Sequence, residues 1–92
     1  MTRDGMVRVT LPPALRALFP GCPAEHRLAG RSVAELIAAL DATWPGMQVR
    51  LCDGRPALRR HIAVYVGDER ATLETTLPPG ADVLVVTAIS GG

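Results

Sequence analysis

The sequence predicts an α+β domain in which a mixed sheet of four to five strands carries one main helix across a single face. Two observations come from the chain's ends: Met6–Leu11 alternates apolar and polar residues, and Val83–Ile89 is a nearly unbroken β-prone run. The third is that the one clean helical pattern between them has a single apolar stripe, enough to cover one face of one sheet.

The first strand is buried on one side through Val7, Val9 and Leu11, and Pro12-Pro13 ends it because proline cannot donate to a ladder. Residues 14–19 place Leu15, Leu18 and Phe19 in a helical turn expected to fold over one end of the sheet. Pro20-Gly21-Cys22-Pro23 is a loop by composition. Glu25-His26-Arg27-Leu28 reads as the return arm of a hairpin. The main helix starts at Ser32, whose hydroxyl is placed to cap it, with Glu35 three residues on completing a capping box. Val33, Leu36, Ile37 and Leu40 form its stripe, Trp44 closes the pattern and Pro45-Gly46 stops it. Between Gly46 and Arg60 the expectation is a long connection pinned to the core by Met47, Val49 and Leu51. Ile62-Ala63-Val64-Tyr65-Val66 is a strand, and Gly67-Asp68 suits a tight reversal. Leu73 and Leu77 fall in an irregular return, Pro79-Gly80 is a turn, and the last strand follows. Strand, strand, helix, strand, short strand, strand, with the helix across one face, is the β-grasp or ubiquitin-like arrangement. The domain is expected over residues 1–89, with residues 90–92 as a flexible tail.

Ninety-two residues leave room for one small core, and 48% hydrophobic residues with only 3% aromatic mean an interior of Val, Leu, Ile and Ala. The net charge of +1 is evenly interspersed, without the basic stripe or aromatic-studded basic face that nucleic-acid binding needs. All ten basic residues are Arg, so the chain offers no lysine as an isopeptide acceptor. No signal peptide or membrane span is expected, and the location inferred is cytoplasmic. Cys22 and Cys52 stand in no CxxC or metal spacing and read as reduced thiols without a catalytic or metal role. His26 and His61 are separated, each beside an arginine, and read as surface or hydrogen-bonding histidines. Arg59-Arg60 and Asp68-Glu69 read as solvated charges flanking a strand, with docking of a partner's carboxylates as the sharper alternative for the arginines. Nucleotide loops, zinc-helix motifs and nucleophile elbows are all absent.

The chain's end carries the chemistry. A terminal Gly-Gly arises by chance in about 0.5% of sequences, given Gly at roughly 7% of residues. Here Gly91-Gly92 follows a strong strand by only one residue, Ser90. Without side chains the two glycines can thread a narrow channel and present a carbonyl unscreened. A carboxylate is a poor electrophile; joined to AMP it becomes a good one, and sulfide or a persulfide can displace the AMP to leave a thiocarboxylate.

Taken together, the segments 28–37 (LAGRSVAELI), 58–69 (LRRHIAVYVGDE), 77–83 (LPPGADV) and Gly91-Gly92 resemble the β-grasp sulfur carriers over nearly the whole chain. That family includes the small subunit of molybdopterin synthase, the thiamine-pathway sulfur carrier and the thiocarboxylate carrier of certain cysteine synthases. The resemblance implies a carrier, not an enzyme, whose acyl-adenylate and thiocarboxylate form at Gly92, with Gly91 and Ser90 as the threading tail. It implies no bound cofactor, ATP being used by an activating enzyme, and a sulfur-using synthase as second partner for a chain that is monomeric alone. It also implies docking through the outward residues of the last strand, Leu84, Val86 and Ala88, with Tyr65 alongside and Val83 and Val85 facing the helix. Thr87-Ala88-Ile89-Ser90 departs from the proline-rich approach of molybdopterin-type carriers, and Gly67 stands where the family often has Asn. Arg60, Tyr65, Asp68 and Glu69 look most like the cysteine-synthase type, which is placed first. The alternatives are a molybdopterin synthase small subunit, a ubiquitin-like modifier conjugated to target lysines, and a plain interaction module with an idle tail.

Overall fold

Alternation along residues 6–11 produces a strand with one dry side in the computed structural model, which describes residues 6–52 and 57–87. Strand β1 (Met6–Thr10) buries Val7 and Val9, and Leu11 just beyond it, and leaves Met6 and Arg8 exposed. It pairs antiparallel with β2 (Glu25–Ala29). On its other side it pairs parallel with β5 (Asp82–Thr87). Strands β3 (Ile62–Val66) and β4 (Glu69–Ala71) complete a five-stranded sheet of order β2-β1-β5-β3-β4. The two end segments of the domain thus become its central parallel pair, and the mixed β-grasp sheet is the one expected. Gly67 takes φ +63 at the first position of the two-residue β3–β4 turn, which a side chain would strain.

Helix α2 (Val33–Thr43) buries Val33, Leu36, Ile37 and Leu40 against the inner side chains of β1, β3 and β5. Each such side chain contributes roughly 1.5–3 kcal/mol by leaving water. The donors of its first three residues are satisfied from outside the helical ladder, which begins at Leu36. Glu35 N–H donates to Ser32 Oγ at 3.2 Å, and Leu36 N–H to the Ser32 carbonyl. The Val33 and Ala34 amides donate to the carbonyls of Thr75 and Leu73 in the return segment, which is what anchors that irregular stretch. One detail departs from the expected box: the Glu35 carboxylate accepts from the Arg31 amide at 2.8 Å, one residue before the cap. Ser32→Ala should lower unfolding free energy by about 0.5–2 kcal/mol in a denaturant titration, without a change in fold.

Two expectations are corrected in the connections. Residues 47–51 form a further short helix, α3 (Met47–Leu51), whose amides at Gly46 and Gln48 donate to Asp41 Oδ1. Met47 and Leu51, four apart, are fully buried, but Val49 is 64% exposed because two residues along a helix is the opposite side. The helical turn expected after β1 forms as α1 (Pro13–Arg16) and buries Leu15, but Leu18, expected to fold over the sheet with it, is 50% exposed. The core holds no aromatic ring; Phe19 and Trp44 pack only against its margin, and among the described alanines only Ala71 is buried.

Candidate functional site

The sheet has one face covered by α2 and one face open, and the open face is where the last strand presents alternate residues. Val83 and Val85 point into the core, so Leu84 and Val86 point outward, Leu84 being 45% exposed and Val86 half-buried. Register extends this into a row across the sheet. Leu84 lies opposite Tyr65 on β3 and opposite Thr10 on β1, Tyr65 lies opposite Arg70, and Val86 lies opposite Ala63. Leu84, Tyr65, Val86 and Ala63 therefore form an apolar patch on the half of the open face toward which β5 runs.

The other half of that face is charged. Arg8 Nε donates to Asp82 Oδ1 at 2.8 Å, and its guanidinium lies 3.6 Å from Glu25. The hydrogen bond and charge of Arg8 hold the Asp82 carboxyl below its ordinary range. This polar end sets the patch's boundary.

Of the residues assigned to docking, Tyr65, Leu84 and Val86 thus come together. Arg60 does not join them: it sits in the turn before β3 and lines a separate groove with Arg59, Arg70 and Glu74 beside β4. Ala88, Ser90, Gly91 and Gly92 lie outside the described residues.

The nucleophile inventory elsewhere is quiet. No disulfide joins Cys22 and Cys52, both largely buried. Burial pushes the Cys22 thiol up, outweighing the pull of the Arg16 charge, so it is held protonated and unreactive. Among the described residues no three metal-ligating side chains cluster, and no helix is long and apolar enough to cross a membrane.

His26 is a half-buried hydrogen-bonding histidine. Trp44 Nε1–H donates to His26 Nε2 at 3.1 Å with the rings edge to face, and Cys22 Sγ is 3.7 Å from the same nitrogen. That bond needs the Nε2 lone pair, hence a neutral ring, and burial lowers the pKa below the ordinary 6.5. The unfolded chain takes up this proton first as pH falls. The His26 contribution to stability is therefore complete above pH 6.5 and lost as pH drops from there toward the lower folded pKa. The thermal midpoint should fall between pH 7 and 5, and His26→Gln should flatten that slope.

A second feature escaped the sequence. A groove of about 520 Å³ opens at the far end of β5, with Leu15 and Ile62 among its lining and Leu18, Val49, Arg50, Arg59, His61 and Thr87 around it. It joins four stretches remote in sequence, and only the mutual exposure of Leu18 and Val49 hints at it.

Comparison with known proteins finds a match of residues 18–92 to the ThiS family. A chain of the Amycolatopsis orientalis BexX/CysO complex is 30% identical with a TM-score of 0.84, over 94% of this chain and 99% of that one. Mycobacterium tuberculosis CysO is 29% identical with a TM-score of 0.81, over 90% and 99% of the two chains. SAMP1 from Haloferax volcanii is alike in fold, with a TM-score of 0.78 at 24% identity over 96% and 100%. No curated protein sequence matches the chain.

Proposed function

The chain belongs to the ThiS family, and from that premise we propose that it is a sulfur carrier whose working group is the carboxylate of Gly92. The observation that carries this reading is the family match itself, which runs on through Gly91-Gly92. Elsewhere the Cys22 thiol is held protonated, and the half-buried His26 is committed to Trp44.

In the proposed cycle an activating enzyme binds ATP, the Gly92 carboxylate attacks the α-phosphate and pyrophosphate leaves. Sulfide then adds to the acyl-adenylate carbon and AMP departs, leaving a thiocarboxylate. The chain next delivers that sulfur to a synthase. The chain does no catalysis in this scheme; its part is to present an unhindered terminal carbonyl and be recognised. Likeness at 29–30% identity to CysO and to a chain of the BexX/CysO complex supports work in complex with partner enzymes. It also favours the cysteine-type pathway, for which Arg60, Tyr65, Asp68 and Glu69 were the sequence argument, in the cytoplasm.

Intact mass after incubation with ATP, sulfide and the organism's activating enzyme tests the reading. A gain equal to sulfur replacing one oxygen supports it. High-mass adducts on target lysines would make the chain a modifier instead, and no change would leave an interaction module.

A further inference from the structure

The groove at the far end of β5 has a composition that tells what would fill it. Leu15 and Ile62 in its lining are buried, while Leu18 and Val49 stand open around them, two of only four large hydrophobic side chains that the described residues expose. Arg50, Arg59 and His61 edge it, and among the described residues no carboxylate lines it. Arg59 is fixed there, its Nε donating to the Val49 carbonyl at 2.9 Å, so the basic edge and the apolar wall are held as one unit.

Position supplies the second argument. Thr87 lines the groove, and it faces the α2 side of the sheet, following Val83 and Val85 at the strand's period of two. The Leu84–Tyr65–Val86 patch is on the opposite face. Gly92 is five residues beyond Thr87 and so lies no further than about 18 Å from it. A protein that takes Gly92 into its active centre must bring its surface to this end of the sheet, where the groove opens on one side and the patch on the other.

We propose that this groove is a second docking site for the activating enzyme, receiving an apolar side chain of that enzyme flanked by carboxylates. It rests on the reading of Gly92 as the adenylated end. The enzyme straddles the end of the sheet, with the open-face patch and the groove gripping it from two sides of the tail. Apolar contact holds the insert, and Arg50 and Arg59 at the edge favour acidic neighbours and select against basic ones.

The test is calorimetric titration of the organism's activating enzyme with the full chain and two variants, Leu18→Asp/Val49→Asp and Arg50→Glu, each checked by thermal melt. All three altered side chains are exposed, so the fold should survive. The double variant should bind about tenfold more weakly or worse. Arg50→Glu should also weaken binding and flatten its dependence on salt, since it removes a charge contact that salt screens. Should the double variant not fold, Arg50→Glu decides alone. Binding within about twofold of wild type for the folded variants, while wild type still gains sulfur by intact mass, overturns the groove and leaves the carrier reading intact. Failure of wild type to gain sulfur overturns both. A wild-type dimer that the double variant dissociates, or Leu18 and Val49 methyl resonances that shift when residues 88–92 are deleted, would make the groove a contact of the chain with itself and overturn the proposal.

Discussion

Deleting Gly92 is expected to abolish sulfur loading while leaving the thermal midpoint almost unchanged. The two readouts separate because they depend on different parts of the chain. The buried core runs from Val7 to Val85, with α2, α3 and the inner faces of β1, β3 and β5 supplying it, so removing residue 92 should change unfolding free energy by less than ~0.5 kcal/mol. Loading depends on which carboxylate reaches the activating enzyme's nucleotide. A chain one residue short ends its carboxylate about 3.5 Å too early, far outside the tolerance of a positioned displacement. Gly91→Val should block loading as well, through its branched side chain. Both are read on one sample by melt and intact mass. A shortened chain that still gains sulfur at its new end would sink the carrier reading in this form, and one that unfolds would make the tail structural.

Leu84→Arg should weaken binding to the activating enzyme or the synthase by at least ~1.4 kcal/mol, tenfold in affinity, with the fold intact. Leu84 is 45% exposed at the centre of a row from Thr10 through Tyr65 to Arg70, so an arginine there projects into solvent in the free protein. In a complex it would leave a charge buried without a partner within the patch, a costly arrangement. Val86→Arg extends the test toward the tail; Val86 is half-buried, so part of its effect should appear as lost stability. Unchanged affinity for Leu84→Arg would move the interface off the open face.

The fold of this molecule was legible in the chain because its elements are written locally. Residues 6–11 and 83–87 alternate or run apolar, Ser32 and Glu35 bracket a helix start, and Val33, Leu36, Ile37 and Leu40 recur at its period; each signal lies within a few residues of what it specifies. The facing of β5 followed from the same period of two, since Val83 and Val85 inward force Leu84 outward. Met47, Val49 and Leu51 were ambiguous, because over five residues a strand's alternation and a helix's repeat of four both put Met47 and Leu51 on one side. Only the helix that formed, with Asp41 holding its first amides, turned Val49 to solvent. Leu18 was left outside when the one-turn α1 ended at Arg16. Arg60 parted from Tyr65 because it falls in the turn before β3, where it lines a groove beside β4. The groove needed residues 14–18, 49–50, 59–62 and 87 to meet, and the α2 amides needed carbonyls from Leu73 and Thr75 some forty residues on. Such meetings are chosen by closing one shared core, a global minimum of exposed apolar surface that no short window of sequence contains.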